Sequence, residues 1–77
     1  MSITADKELD TSGLSCPLPV LRLKQTLKKM ETGEVVFVIA TDKGTLHDFV
    51  SFSKQTGHEL LDSNEEDEKY LFWFRKA

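Results

Sequence analysis

The chain has one cysteine in 77 residues. No intramolecular disulfide can form, so packing alone must hold the fold, and the cystine framework of small secreted domains is excluded. Long apolar runs are missing too: the longest, Val35 to Ala40, falls far short of the roughly 20 residues that a membrane-spanning helix needs. Positive charge is in deficit, with ten Lys plus Arg against thirteen Asp plus Glu. No overall field would gather a phosphate backbone, so direct nucleic-acid binding is not expected. The opening Met1–Lys7 has neither a basic cap before an apolar stretch nor an Arg-rich amphipathic pattern, so cytoplasmic residence without membrane association is the expectation. At 8.8 kDa and 39% hydrophobic residues, the chain can enclose one core, and residues 1–77 read as a single domain.

Ile3, Ala5 and Leu9 sit at odd positions among polar neighbours, which predicts a first strand ending near Asp10, with Thr11-Ser12-Gly13 as a turn. From Pro17 to Glu31 the apolar residues Val20, Leu23, Leu27 and Met30 recur at three and four; this is an amphipathic helix, stopped by Thr32-Gly33. The continuous, β-branched run Val35–Ala40 predicts a central strand buried on both faces. Thr45 followed by Asp48 has the form of a capping box, and Leu46, Phe49, Val50 and Ser53 then share one helical face until Gly57. Glu59 to Ser63 reads as a third strand, Asn64 to Glu68 as an acidic turn, and Lys69 to Arg75 as a fourth strand. The order is βαβαββ. Two helical crossovers and a final hairpin predict an α+β domain, a four-stranded mixed sheet with two helices on one face.

Cys16 occupies the loop Gly13-Leu14-Ser15-Cys16-Pro17-Leu18-Pro19, between the first strand and the first helix. With Pro17 as the first helical residue, Cys16 would be the N-cap. Gly13 supplies the turn, and Pro17 and Pro19 fix φ and stiffen the loop around the sulfur. Their missing N–H groups leave the amides of Leu18 and Val20 to face a negative sulfur. A thiol at the positive end of a helix is expected to ionise below the free-cysteine range. A loop position of this kind favours a functional thiol over a packed one.

The available chemistry is narrow. There is no Cys-X-X-Cys pair and no second thiol to resolve a sulfenic acid, and zinc would need three more ligands where only His47 and His58 are on offer. No metal site is expected. A cysteine hydrolase would want a partnered histidine, and no motif links His47 to Cys16; both histidines read as surface or structural residues. A single sulfur suits one task well: carrying sulfane sulfur as a persulfide. A neighbouring thiol would attack that group, close a disulfide and release sulfide. The only group beyond the polypeptide would then be the covalent persulfide sulfur on Cys16, with no separate cofactor.

Leu9-Asp10, Gly13-Leu14, Cys16-Pro17-Leu18-Pro19, Gly33-Glu34, Thr41-Asp42 and Asp48 together resemble the TusA/SirA-like sulfur-carrier family, over about Leu9 to Arg75. The resemblance implies a two-layer α/β sandwich with sheet order 1-2-4-3, similar to the C-terminal domain of a bacterial translation initiation factor. It implies a sulfurtransferase in which Cys16 takes sulfur from a cysteine desulfurase or rhodanese-like donor and passes it to an acceptor protein. Pro17 and Pro19 would shape the loop, while Asp42 and the basic residues of the first helix would lie near the partner-facing surface. Many members acting in tRNA 2-thiouridine synthesis carry an acidic residue between the prolines and a basic residue before the cysteine. Here Leu18 and Ser15 stand there, and relatives that shuttle sulfur in dissimilatory sulfur oxidation are an equally good match.

Arg22, Lys24, Lys28 and Lys29 make the first helix basic, and Asp62, Glu65, Glu66, Asp67 and Glu68 make the late turn acidic. Such runs commonly serve solubility; the functional alternative is that Arg22, Lys24 and Lys28 steer an acidic partner toward the sulfur. Tyr70, Phe72 and Phe74 alternate on one strand face, which resembles a base-stacking platform, although a small domain needs such aromatics for its core. Two function classes therefore stand: a sulfur carrier working through Cys16, and a small nucleic-acid-binding or regulatory module in which the thiol is incidental.

Overall fold

The computed structural model describes residues 4–77. The elements run β1 (Lys7–Thr11), α1 (Leu18–Lys28), β2 (Val35–Ala40), α2 (Thr45–Thr56), β3 (Glu59–Glu66) and β4 (Lys69–Arg75). The four strands form one sheet in the order β1-β2-β4-β3. The β1–β2 pair is parallel and the other two pairs are antiparallel. This is the expected α+β arrangement: a parallel pair needs a helical crossover, which α1 supplies, and the hairpin closes the sheet.

The helices reach the sheet through few residues. Leu23, Leu27 and Met30 from the first crossover and Phe49 and Phe52 from α2 meet Val36, Val38, Ala40, Phe72 and Phe74 in one core. Phe49 lies edge-on to both Phe72 and Phe74, with ring centroids 4.6 Å and 5.4 Å away, the geometry that aromatic quadrupoles favour. Tyr70 packs partly against this core, so the aromatic face of β4 is interior.

Several expectations are corrected. β1 begins at Lys7 and runs through Thr11, which is fully buried and donates its hydroxyl to the Ile39 carbonyl at 2.6 Å; Ile3 lies outside the described residues. β2 has the predicted bounds but is not buried on both faces. Val36, Val38 and Ala40 face the core, whereas Val35, Phe37 and Ile39 are half-buried on the helix-free face, where Phe37 stacks on Trp73 at 4.9 Å. In α2 the buried residues are Thr45, Phe49 and Phe52, and Leu46 is exposed. β3 extends to Glu66, leaving a two-residue turn in which Asp67 and Glu68 both have positive φ, the backbone twist that suits a tight hairpin.

Candidate functional site

The site arises where the parallel strands end. Thr11 and Ala40 are register partners at the last rungs of β1 and β2, so the loops that follow them emerge side by side, outside the carboxyl ends of the strands. Gly13, at φ +81°, donates its N–H to Thr41 Oγ1 at 2.9 Å and ties the two loops together. That φ lies in the left-handed region where only glycine is free of strain. Gly13 thus has its hydrogen-bond partner on the neighbouring loop.

Cys16 is exposed. It lines a shallow groove of about 220 Å³ together with Pro17, Val20, Asp48, Ser51, Phe52 and Gln55. The last four lie on α2 at Asp48, Ser51, Phe52 and Gln55, the three-and-four spacing of a single helix face. The thiol donates a hydrogen bond from Sγ to Asp48 Oδ2 at 2.6 Å. The N-terminal turn of α2 and the loop before α1 are thereby joined across 32 residues of sequence.

The sulfur is not an N-cap. α1 starts at Leu18 with Pro17 as its cap residue and Pro19 at the second helical position, and the Leu18 N–H donates to the Ser15 carbonyl at 2.9 Å. The Leu18 amide expected to face the sulfur is therefore occupied elsewhere. Pro19 is buried at the base of the helix, while Pro17 remains exposed beside the thiol. The expected low thiol pKa is overturned as well: Cys16 is raised above the ordinary cysteine range. The hydrogen bond to Asp48 is the largest cause, followed by desolvation and the negative charges of Asp48 and Asp42. A carboxylate accepts a hydrogen bond from the protonated sulfur and repels a thiolate, so both effects favour the thiol.

Asp42 is half-buried and near enough for its charge to act on the sulfur, while its Oδ2 accepts the Gly44 N–H at 3.2 Å. The basic residues are placed differently. Arg22 lines a separate groove of about 260 Å³ with Lys7, Leu9, Gln25, Thr26 and Lys29, between α1 and the β1 edge. Lys24 and Lys28 are exposed on α1. None of these cations lines the groove of Cys16. His58 stacks on Phe52 and accepts the Ala77 N–H at Nδ1, 3.1 Å away. Burial first and Lys76 second hold its pKa below the usual histidine value; its contacts are structural. Among the described residues no cluster of His, Cys, Asp or Glu could hold a metal ion, and no helix is long and apolar enough to cross a membrane.

Asp48 is the residue that sequence reasoning misassigned. As a capping-box partner it would reach back toward Thr45, but α2 is capped by Gly44 without a side-chain hydrogen bond, and Thr45 Oγ1 is buried without a partner. The repeat of Asp48, Ser51, Phe52 and Gln55 on one face was the available signal.

Comparison with known proteins places this geometry in a family. Residues 7–76 match the family described as Sulfurtransferase TusA. The chain is 56% identical over 72 residues to the sulfur carrier protein TusA of Allochromatium vinosum, covering 94% of this chain and 95% of that protein. It is 42% identical over 73 residues to a putative sulfur carrier protein, YrkI, of Bacillus subtilis, covering 95% and 97%. A crystal structure of a SirA-like protein from Desulfitobacterium hafniense has the same fold, with a TM-score of 0.80 at 23% identity over 92% of this chain and 97% of that one. With the family matched over nearly its whole length, the chain belongs to the TusA sulfurtransferases.

Proposed function

We propose that the protein is a sulfur carrier in which Cys16 accepts a sulfane sulfur from a donor protein, holds it as a persulfide and relays it to an acceptor protein. The observation that carries this reading is an exposed thiol on an open groove in a chain with no second cysteine. Exposure lets another protein's sulfur reach Sγ, and the absence of a second thiol in the chain protects the persulfide from intramolecular attack. The names of the relatives, sulfur carriers in Allochromatium vinosum and in Pseudomonas entomophila, support the same role.

The donor is a cysteine desulfurase or a rhodanese-like protein, and the acceptor belongs to tRNA thiolation or to dissimilatory sulfur oxidation. Leu18 and Leu21, 43% and 48% exposed on α1, give such partners apolar surface on the helix that follows the loop, and Arg22, Lys24 and Lys28 add charge on the same helix. Incubation with a cysteine desulfurase and cysteine, or with a rhodanese and thiosulfate, should add one sulfur by intact mass. That adduct should vanish on reduction and be absent from Cys16→Ser. No adduct from any donor, or an equal adduct on Cys16→Ser, would refute the proposal.

A further inference from the structure

We propose that Asp48 gates Cys16: its carboxylate keeps the sulfur as a thiol in the free protein, and the sulfur becomes reactive when a partner brings a lysine or arginine to that carboxylate. The nature of the partner rests on the sulfur-carrier reading; the behaviour of the thiol does not.

An ionised carboxylate has no proton to donate, so the 2.6 Å contact from Sγ to Asp48 Oδ2 exists only while the sulfur carries its own proton. Among the described residues, the charges acting on the sulfur are of one sign. Asp48 comes from α2 and Asp42 from the loop before it, while Pro17 and Val20 from the first helix region and Ser51, Phe52 and Gln55 from α2 are uncharged. The first basic residue of α1, Arg22, lines the groove on the β1 side. The upward shift of the thiol pKa agrees with this layout.

Sulfur transfer needs the opposite state. In loading, the Cys16 thiol gives its proton to a solvent base, and the resulting thiolate attacks the terminal sulfur of a donor R–S–SH. The new bond makes Cys16–S–SH, the donor S–S bond breaks, and R–S⁻ leaves and takes up a proton. Delivery is the same exchange with the Cys16 sulfur as leaving group. Neither step involves net oxidation, and both pass through an anionic Cys16 sulfur, whose rate depends on how readily it ionises. Beside two carboxylates and, among the described residues of the groove, no cation, that anion is disfavoured. A partner's lysine or arginine bonded to Asp48 removes the acceptor that holds the proton and cancels the repulsion. Half-buried Asp48 leaves an edge open for such a contact. The free carrier is then a poor target for oxidants and stray electrophiles until it docks.

The test compares wild type with Asp48→Asn in two reactions. With iodoacetamide, a neutral electrophile, the pH profile of alkylation should move to lower pH in the variant, with a gain of roughly threefold or more at neutral pH. With a cysteine desulfurase and cysteine, sulfur loading of the variant should slow through a raised KM for the carrier, because the partner's cation has lost its carboxylate. Asp48→Ser should repeat both results, and circular dichroism should show both variants folded. An unchanged alkylation profile overturns the gate. Acceleration of desulfurase loading to the same extent as alkylation also overturns it, since the partner then contributes nothing at Asp48. If wild type takes up no sulfur, the carrier reading falls, while the alkylation profile still judges the hold of Asp48 on the thiol.

Discussion

Replacing Phe49 with leucine should weaken the whole domain while leaving the chemistry of the thiol in place. Phe49 is fully buried and, with Phe52, packs α2, the helix that carries Asp48 to Cys16, into the core. Leucine keeps most of the apolar contact but removes two edge-to-face aromatic pairs, with Phe72 at 4.6 Å and Phe74 at 5.4 Å. Each such pair contributes ~0.5–1.5 kcal/mol beyond burial, so the expected loss is about 2 kcal/mol. A domain of this size has roughly 4–12 kcal/mol in total, and at ~4–8 °C per kcal/mol the Tm should fall by roughly 8–16 °C. Urea denaturation at 25 °C and thermal melting by circular dichroism measure the loss, and iodoacetamide alkylation at 10 °C, where the variant is still folded, should keep the wild-type pH profile. A loss below about 0.5 kcal/mol would mean that the aromatic contacts do not hold the helix to the sheet. A shifted alkylation profile in the folded variant would mean that α2 is placed less firmly than this packing requires.

Two other predictions concern parts of the molecule that the site does not use directly. Lys24→Glu combined with Lys28→Glu should slow sulfur loading from a desulfurase at roughly 10 mM salt, where exposed charges act over ~30 Å, and the difference should shrink at ~0.5 M; equal rates at low salt would leave these lysines as solvated surface. Thr45→Val should be neutral or stabilising by up to ~1 kcal/mol in urea denaturation, because it removes a buried hydroxyl that has no partner. A clear destabilisation would show that the hydroxyl is satisfied after all.

The elements written in local pattern were legible. The bounds of β2 and β4 and the end of α2 at Gly57 were read correctly, since a β-branched run, an alternating aromatic strand and a glycine at φ +83° are short-range signals. β3 was read three residues short. Asn64, Glu65 and Glu66 have low strand propensity, and their pairing with Leu71, Tyr70 and Lys69 in the hairpin overrides it. Their charges suit an exposed edge strand that must not pair with another chain. The half-exposed face of β2 was missed because a continuous apolar run does not say whether both faces are covered. Cys16 stands out in the sequence because loop position and solitude are local facts. Its electrostatics do not, because a one-residue change in the start of α1 moves the sulfur outside the cap, and the dominant charge comes from 32 residues away.

The pairing of β1 with β2 explains why that distant charge arrives where it does. A parallel pair places both strand ends on one side of the sheet, and each end is followed by a loop leading into a helix. The register Thr11↔Ala40 aligns those ends, and the Gly13–Thr41 hydrogen bond fixes the loops against each other. The loop after β1 therefore meets the loop after β2 through Gly13 and the first turn of α2 through Cys16, where Asp42 and Asp48 lie. Acidic side chains are favoured in that first turn by the amides of α2 itself. The same topology that exposes the thiol thus sets a carboxylate against it. In this protein the thiol at that position is exposed, and the charges that the loop before α2 and the first turn of α2 set beside it are negative.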